Sequence, residues 1–361
     1  MIAMVFVFTA GILLASYAFI LSFLVKKCHF PWENIWFIYT LVGLCIYPWV
    51  MALSFIPVET VLSLLSPSVL IRAIAFGFLF GLGNTLYGFV VPIIGVSTAA
   101  AINPSIVLSI GAIAPLALAD PKMFLTIKGF SIAACVLVLL LSLVITYLAS
   151  LRREGEQSLS QSQGKAISGQ ISFRLGLIFC VISGVFAAQQ NIGFYLSKDI
   201  NHLVEIQSVP TYAISYLAWA LSMTGSTIAS LSIAGFLLLR NKTSPVFLNL
   251  YEHLRLRGQR DGIKYDPPKN PKTTLYLMSA LMGICQTSAL ILYGMGSDLL
   301  GELGPSVGFA IFCGTAILTN QLIGFAQGDW NNTSNTTRRM IYLSIALIIS
   351  SIIALGLNSL R

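Results

Sequence analysis

Long apolar segments, separated by short polar ones, occupy most of this 361-residue chain. A helix needs about 20 consecutive apolar residues to cross the hydrocarbon core of a bilayer. Ten segments reach that length, at approximately 2–25, 34–56, 70–91, 93–117, 123–149, 173–197, 210–239, 273–296, 304–327 and 340–358. The pattern therefore predicts an all-α membrane protein with ten transmembrane helices.

The composition supports this prediction. Hydrophobic residues make up 56% of the chain and charged residues 9%, whereas a soluble domain carries about 25% charged residues. The first apolar segment has no basic residue before it, and Lys26 and Lys27 follow it. A secretory signal peptide has the opposite order of charges, so we interpret this segment as a retained first helix.

The basic residues lie mainly in alternate loops between the apolar segments. Sixteen of the 21 Lys and Arg residues fall in or beside the first, third, fifth, seventh and ninth loops, and five fall on the other side. Cytoplasmic loops carry the excess of Lys and Arg in membrane proteins. We therefore predict an inner-membrane protein whose termini both face away from the cytoplasm. The net charge of +8 follows from this arrangement, and we expect no nucleic-acid partner.

A polar segment divides the chain into two halves of five predicted helices each. Residues 151–172 are rich in Ser, Gln and Gly, as in a flexible linker, and separate residues 1–150 from residues 173–361. The second half carries a longer polar loop at 240–272. This loop is either solvated or forms a short basic helix on the membrane surface.

Weak internal similarities relate the two halves. FGLGNT at 80–85 resembles MGICQT at 282–287, and INPSIV at 102–107 resembles LGPSVG at 303–308. Two halves with an odd number of helices each have opposite orientations in the membrane, as in transporters with inverted repeats. The sequence thus predicts two inverted five-helix repeats.

The centres of the predicted helices contain no charged residue. Every Asp, Glu and His lies in a loop or at the end of a helix, and the six cysteines show no CxxC spacing. An enzyme inside the membrane would need a buried Ser/His pair, paired Asp residues or a metal cluster. We therefore expect no catalytic residues, no metal site and no cofactor.

Neutral polar residues, by contrast, occur inside the predicted helices. An amide that faced lipid without a partner would cost roughly 2–7 kcal/mol, so these side chains must point inward. Amide and hydroxyl groups offer donors and acceptors to the hydroxyl groups of a neutral solute such as a sugar. The alternative is hydrogen bonding between helices. The predicted substrate-binding residues are Asn84, Tyr87, Asn103, Gln189, Gln190, Asn191, Tyr212 and Gln286.

Asn84 lies between two glycines on one face of its predicted helix. Gly81 and Gly88 are at i−3 and i+4, so the pattern predicts a notch through which a solute reaches the amide. Gly77 and Gly81 also have the four-residue spacing that lets helices approach closely. If the halves are repeats, Gln286 occupies the equivalent place in the second half.

Backbone breaks and terminal acids complete the candidate site. Pro104 and Pro305 fall at matching positions in the two halves and predict interrupted helices, which mark binding sites in transporters. Because no acid lies at a helix centre, only acids at helix ends can bind a coupling proton. We take Glu33 and Asp298 as the candidates.

Several short motifs occur in the order and spacing of a known family. They are PWENIW at 31–36, the pair Pro48–Trp49, Arg72, the pattern GxGNxxYG at 81–88, Pro210 with Tyr212, and the WNN…RR end at 330–339. In these features the chain resembles the L-rhamnose/proton symporter family of the drug/metabolite transporter superfamily, over nearly its whole length. The resemblance implies ten helices in two inverted halves and proton-coupled uptake of a sugar.

The residues and the resemblance lead to one hypothesis and two alternatives. We expect a secondary active transporter in the lipid bilayer that moves a small neutral polar solute, such as L-rhamnose, with a proton by alternating access. The first alternative is an exporter of amphipathic or aromatic metabolites from the same superfamily. The second is a membrane receptor or enzyme.

Overall fold

The computed structural model describes residues 2–64, 66–94, 96–119, 121–160, 173–196, 211–250, 252, 268–326, 328, 330–331 and 333–360. Within these residues the chain is almost entirely helical, and ten helices are long and apolar enough to cross a membrane, as predicted. They are α1 (Ile2–Ser22), α2 (Trp32–Leu53), α3 (Pro67–Ile94), α4 (Val96–Ala119), α5 (Ile127–Ser160), α6 (Phe173–Leu196), α7 (Thr211–Arg240), α8 (Pro271–Leu299), α9 (Gly301–Ala326) and α10 (Asn335–Leu360).

Two of these helices contain wider π-helical turns. In α2 the turn spans Thr40–Ile46, and in α9 it spans Gly304–Gly308 and contains Pro305. The predicted interruption at Pro305 therefore takes this form. At Pro104 the predicted interruption is wrong, because α4 continues through this proline from Val96 to Ala119, and the predicted kink there stays a prediction. A proline removes one backbone bond, and neighbouring helices in a membrane protein compensate for such a loss.

The end of α5 differs from the prediction of a linker. The helix continues to Ser160, so the first ten residues of the segment 151–172 are helical. The carboxylate of Glu156 accepts hydrogen bonds from the backbone N–H of Ser334 at 2.8 Å and from the hydroxyl of Thr337 at 2.9 Å. These bonds attach the end of α5 to the start of α10 and explain the added helical turns.

The rest of the two predicted polar segments falls mostly outside the described residues. This applies to 161–172 and, within the predicted loop, to 251 and 253–267. The proposed basic surface helix therefore also lies outside the described residues.

Contacts between helices divide the chain into two compact units. The first unit comprises Met1–Ile12, Leu82–Tyr195 and Leu292–Arg361, and the second comprises Leu13–Gly81 and Leu196–Ile291. The first unit thus contains α4, α5, α9, α10 and nearly all of α6, and the second contains α2 and α7. Both units draw residues from both predicted halves, and the inverted repeat stays a prediction.

In the first unit, glycines permit two close helix contacts. A Cβ atom added at Gly83 in α3 would lie 2.4 Å from the backbone N of Ala187 in α6. One added at Gly11 in α1 would lie 2.6 Å from Cβ of Thr315 in α9. Any larger residue at these two positions would force the paired helices apart.

Hydrogen bonds hold α5, α9 and α10 together in the same unit. The hydroxyls of Thr146 and Ser344 lie 2.6 Å apart, and Gln321 Nε2 donates to Thr146 Oγ1 at 2.7 Å. Ser351 Oγ donates to the carbonyl of Cys135 at 2.6 Å. Polar side chains in these helices therefore serve to join neighbouring helices.

In the second unit, four glycines bring helix backbones into contact. A Cβ at Gly77 in α3 would lie 1.8 Å from the carbonyl oxygen of Ser222 in α7, and one at Gly81 would also meet the backbone of α7. The close approach predicted for Gly77 and Gly81 is therefore confirmed. Helices α2 and α8 meet at Gly43, whose Cβ would lie 2.2 Å from Cα of Gly283.

Candidate functional site

The predicted binding residues lie in both units, so each unit is described separately. Asn84, Tyr87, Asn103, Gln189, Gln190, Asn191 and Asp298 belong to the first unit, and Glu33, Tyr212 and Gln286 belong to the second. The predicted pairing of Asn84 with Gln286 joins the two units and stays a prediction.

Asn103 connects three helices of the first unit. Its Nδ2 donates to Ser183 Oγ at 2.7 Å, and that hydroxyl donates to the carbonyl of Gly83 at 2.7 Å. The chain of bonds joins α4, α6 and α3. Asn103 is buried, and this bond holds helices together.

Asn191 is bonded more completely still. Its side chain is fully buried, and its Nδ2 donates to the carbonyl of Gly111 at 2.6 Å and to that of Pro305 at 2.7 Å. Its Oδ1 accepts a hydrogen bond from the hydroxyl of Tyr293. Both amide protons and the amide oxygen are therefore engaged, and the residue joins α6 to α4, α8 and α9.

Gln190, the adjacent residue of α6, differs from Asn191 because the nitrogen of its side-chain amide is not bonded. It is 8% exposed, and its Nε2 has no hydrogen-bond partner within the described residues. On the same face of α6, Ala187 contacts α3 at Gly83, and the ring of Phe194 lies 5.5 Å from that of Tyr293. Gln190 thus places an unused amide donor between two helix contacts.

Gln189 is different again. Its side chain is partly exposed, and its Nε2 donates to the carbonyl of Val185 in its own helix at 3.0 Å. The three consecutive residues Gln189, Gln190 and Asn191, grouped together by sequence, therefore have three different environments.

Asn84 and Tyr87 lie on α3 in different surroundings. Asn84 is half-buried, and Tyr87 packs against an apolar cluster that includes Val90 and Cys180. The open notch predicted beside Asn84 is wrong at Gly81, because the carbonyl oxygen of α7 at Ser226 would lie 2.6 Å from an added Cβ. Contact of Asn84 or Tyr87 with a solute stays a prediction.

In the second unit, Gln286 is joined to an aromatic row. Its Oε1 accepts a hydrogen bond from the hydroxyl of Tyr39 in α2, and both residues are buried. The ring of Tyr39 lies 4.8 Å from that of Trp36, which lies 4.7 Å from that of Trp32. The ring of Tyr17 in α1 lies 5.7 Å from that of Tyr39.

Three donors of α2 beside this row have no hydrogen-bond partner within the described residues. They are Nε1 of Trp32, Nε1 of Trp36 and Oγ1 of Thr40. Trp36 and Thr40 are each 0% exposed. The three residues recur every fourth position and therefore lie along one face of the helix.

The two coupling candidates have unequal environments. Glu33 is 7% exposed and is the sole buried charged side chain in the described part of the chain. Its Oε1 accepts hydrogen bonds from Asn241 Nδ2 at 3.0 Å and Thr243 Oγ1 at 2.8 Å. Asp298 is half-buried near the end of α8. Tyr212 lies in α7, and its side chain lies outside the described residues.

Sequence reasoning missed Tyr39, Tyr293 and the α2 donors. Tyr39 and Tyr293 bond the two buried amides Gln286 and Asn191, and the sequence carried no signal for these pairings. The spacing of Trp32, Trp36 and Thr40 was readable, although a row of aromatic residues more often indicates core packing.

Known proteins are similar to this chain in sequence over most of its length. A sequence model of the family L-rhamnose-proton symport protein (RhaT) matches residues 2–359. The chain is 21% identical over 339 residues to the L-rhamnose-proton symporter of Enterobacter sp. (strain 638), which covers 92% of each protein. It is 22% identical over 338 residues to the L-rhamnose-proton symporter of Escherichia coli (strain 55989 / EAEC), covering 92% of this chain and 91% of the relative.

The L-rhamnose-proton symporter of Klebsiella pneumoniae (strain 342) shows the same degree of similarity, with 21% identity over 340 residues and 92% of each protein covered. The ten apolar helices identify the chain as an integral membrane protein, and the matching family is one of transporters. The family match extends over all ten helices and both units. This chain therefore belongs to the L-rhamnose-proton symport protein family.

Proposed function

We propose that this protein is a secondary active transporter of the inner membrane that takes up L-rhamnose or a closely similar neutral sugar together with a proton. The family and the names of its relatives support this substrate and this coupling ion. We further propose that transport occurs by alternating access. On this proposal the chain moves its solute unchanged and catalyses no reaction.

The observation that carries the proposal is the amide of Gln190. A buried donor without a partner costs about 1–3 kcal/mol, and an acceptor on a bound solute removes that cost. The hydroxyl groups of a sugar are such acceptors, and the amide carries no charge that would favour an ion. Asn103 and Asn191 nearby hold helices together, so the unit can keep its fold while Gln190 is free to bind.

Replacement of Gln190 tests this proposal. In proteoliposomes containing the full-length protein, Gln190→Ala should raise the KM for L-rhamnose by about 5- to 150-fold, because a solute hydroxyl loses its buried partner. The thermal stability of the purified protein should change little. The measurement is initial uptake of labelled L-rhamnose under an imposed proton gradient.

Gln321→Ala is the matched control. Gln321 is also a buried glutamine of the first unit. Its Nε2 donates to Thr146, so unlike Gln190 it has no unused donor, although its Oε1 has no partner within the described residues. This variant should lose stability and keep the KM of the wild type. Equal KM values for Gln190→Ala and the wild type would show that Gln190 does not bind the sugar.

We place the coupling proton on Glu33. Its two partners, Asn241 and Thr243, are neutral, and the neighbouring Lys27 and Lys242 are exposed. Hydrogen bonds to an ionised carboxylate are roughly twice as strong as neutral ones. Uptake of a proton therefore weakens the attachment of the start of α2 to the segment that follows α7.

Glu33→Gln tests this assignment, because it imitates the protonated acid. The variant should exchange L-rhamnose across the membrane at zero gradient but should not accumulate it when a proton gradient is imposed. Glu252→Gln, a change at an exposed acid, should accumulate it normally. Proton-driven accumulation by Glu33→Gln would exclude Glu33 and favour Asp298 as the coupling residue.

We also propose that both termini face away from the cytoplasm, because of the uneven distribution of basic residues. A cysteine introduced at Arg260, in the long loop, should then be protected from a membrane-impermeant thiol reagent in intact cells. Labelling of Arg260→Cys without permeabilisation would reverse the assigned orientation.

A further inference from the structure

Helix α2 carries three hydrogen-bond donors that have no partner in the part of the chain that the structure describes. We call them the donor row: Nε1 of Trp32, Nε1 of Trp36 and Oγ1 of Thr40. The spacing of four residues aligns the donors along one face of the helix. The indole rings of Trp32 and Trp36 are stacked, with an interplanar angle of 20°. Stacking fixes both rings in place, so the positions of their N–H groups are set before any ligand binds.

Other donors of the same helix are bonded. The Nε1 of Trp49 donates to Thr224 Oγ1 at 2.9 Å, and Nδ2 of Asn34 donates to the carbonyl of Thr243 at 3.1 Å. These two side chains donate within the protein, whereas the donor row and the amide oxygen of Asn34 have no hydrogen-bond partner within the described residues. A buried tryptophan N–H usually has a partner, so an exception on successive turns indicates a ligand.

The surroundings of the donor row define the chemistry of that ligand. Tyr39 and Gln286 are joined by a hydrogen bond beside it, and the aromatic rings supply apolar surface. All three members of the row can donate, and two of them, the indole N–H groups, cannot accept. Glu33, one turn from Trp36, is the one buried charged side chain of the described residues, and its carboxylate is bonded to Asn241 and Thr243. No buried basic group adjoins the donors in the described part of the chain, which disfavours an anion as the ligand.

We propose that the donor row is a sugar-binding subsite of the second unit, in which Trp36 and Thr40 donate hydrogen bonds to hydroxyl oxygens of the transported solute. This inference rests on the proposed function, because it requires a neutral polyhydroxy solute. It adds a specificity determinant that is independent of Gln190 in the first unit. The row favours solutes that present two or more oxygen acceptors.

Two conservative substitutions test the subsite. Trp36→Phe keeps an aromatic ring and removes the N–H, and Thr40→Val keeps the shape and removes the hydroxyl. Each should raise the KM for L-rhamnose about tenfold while maximal uptake changes less. Trp49→Phe is the matched control: it removes an N–H that is already bonded within the protein, so it should reduce thermal stability and leave the KM unchanged.

Monodeoxy analogues of L-rhamnose separate a direct contact from a general structural effect. For the analogue that lacks the contacted hydroxyl, Trp36→Phe should cause no further loss of binding, whereas for other analogues the tenfold loss should remain. A loss of the same size for every analogue would indicate damage to packing and would overturn the proposal. Should Trp36→Phe fail to fold, Thr40→Val and the same analogues provide the same comparison.

The failures of the two proposals can be distinguished. If the wild type takes up L-rhamnose and Gln190→Ala impairs uptake, but Trp36→Phe and Thr40→Val behave as the wild type, only the subsite is wrong. If the wild type takes up no neutral sugar, the proposed function is wrong and the subsite falls with it.

Discussion

Asn191 of α6 in the first unit and the pair Trp36 and Thr40 of α2 in the second unit are equally buried but differently bonded. Asn191 is 0% exposed and uses both amide protons and its oxygen within the protein. Trp36 and Thr40 are also 0% exposed, yet their donors have no partner within the described residues. Burial of a polar side chain in a membrane helix therefore does not identify a binding site. The two binding proposals rest instead on unused hydrogen-bond donors.

Gln190 and Asn191 show the same contrast between neighbouring residues. The amide of Asn191 is bonded to three groups of other helices, whereas Nε2 of Gln190 has no partner within the described part of the chain. A rotation of 100° about the helix axis is enough to change the surroundings completely. A cluster of amides in a sequence can thus contain both structural and binding residues.

The largest loss of stability is expected from a substitution that pushes α2 away from α8. Gly43→Ala places a Cβ 2.2 Å from the Cα of Gly283, and a backbone atom cannot move aside as a side chain can. We expect a loss of about 3 kcal/mol or more and little folded protein. The measurement is the yield of monodisperse protein and its thermal midpoint.

Gly235→Ala is the control for this change. An added Cβ at Gly235 in α7 meets nothing within 4 Å, so the variant should be at least as stable as the wild type. Normal stability of Gly43→Ala would mean that α2 and α8 do not meet at Gly43 and Gly283. The surroundings assigned to the donor row would then be wrong.

A smaller loss of stability is expected from removing the hydrogen-bonded amide of Asn191. Asn191→Ala removes three hydrogen bonds, each worth about 0.6 kcal/mol in a membrane protein, so stability should fall by about 2 kcal/mol. In the folded fraction the KM for L-rhamnose should change less than it does in Gln190→Ala. Thermal unfolding and uptake, measured on the same preparations, give both values.

Ser232→Ala removes a hydrogen bond within α7 at an exposed position and is the reference for that measurement. If Asn191→Ala proved stable but raised the KM more than Gln190→Ala, the roles assigned to the two residues would be exchanged.

The smallest effect concerns a polar contact outside the membrane. Hydrogen bonds from Ser334 and then Thr337 hold the pKa of Glu156 below its usual value. Ionised Glu156 therefore stabilises the folded protein at neutral pH, and this contribution is lost as the pH falls through the lowered pKa. Glu156→Gln should slightly reduce the thermal midpoint at pH 7, and its difference from the wild type should shrink below about pH 4.

Glu252→Gln, at an exposed acid, should follow the wild type at every pH. A difference between Glu156→Gln and the wild type that persisted unchanged at low pH would show that the charge of Glu156 does not stabilise the junction of α5 and α10.

Most of the fold could be predicted from the apolar pattern, whereas its local details could not. The ten helices follow from segment length alone, because a bilayer allows few other structures. The extension of α5 to Ser160 could not be foreseen, since it depends on contacts between Glu156 and residues almost 180 positions away. The continuity of α4 through Pro104 depends on neighbouring helices in the same way.

The sequence by itself determined the membrane environment, the number of helices, the family and the set of polar residues from which a site can be built. These properties depend on composition and order, which the chain carries directly. The tertiary structure alone decided which polar groups are used within the protein. It bonded Asn103 and Asn191, and among the described residues it left donors of Gln190, Trp36 and Thr40 without a partner. The physical reason is that a hydrogen bond needs its two atoms about 3 Å apart at a suitable angle, and only the packing of helices sets that distance.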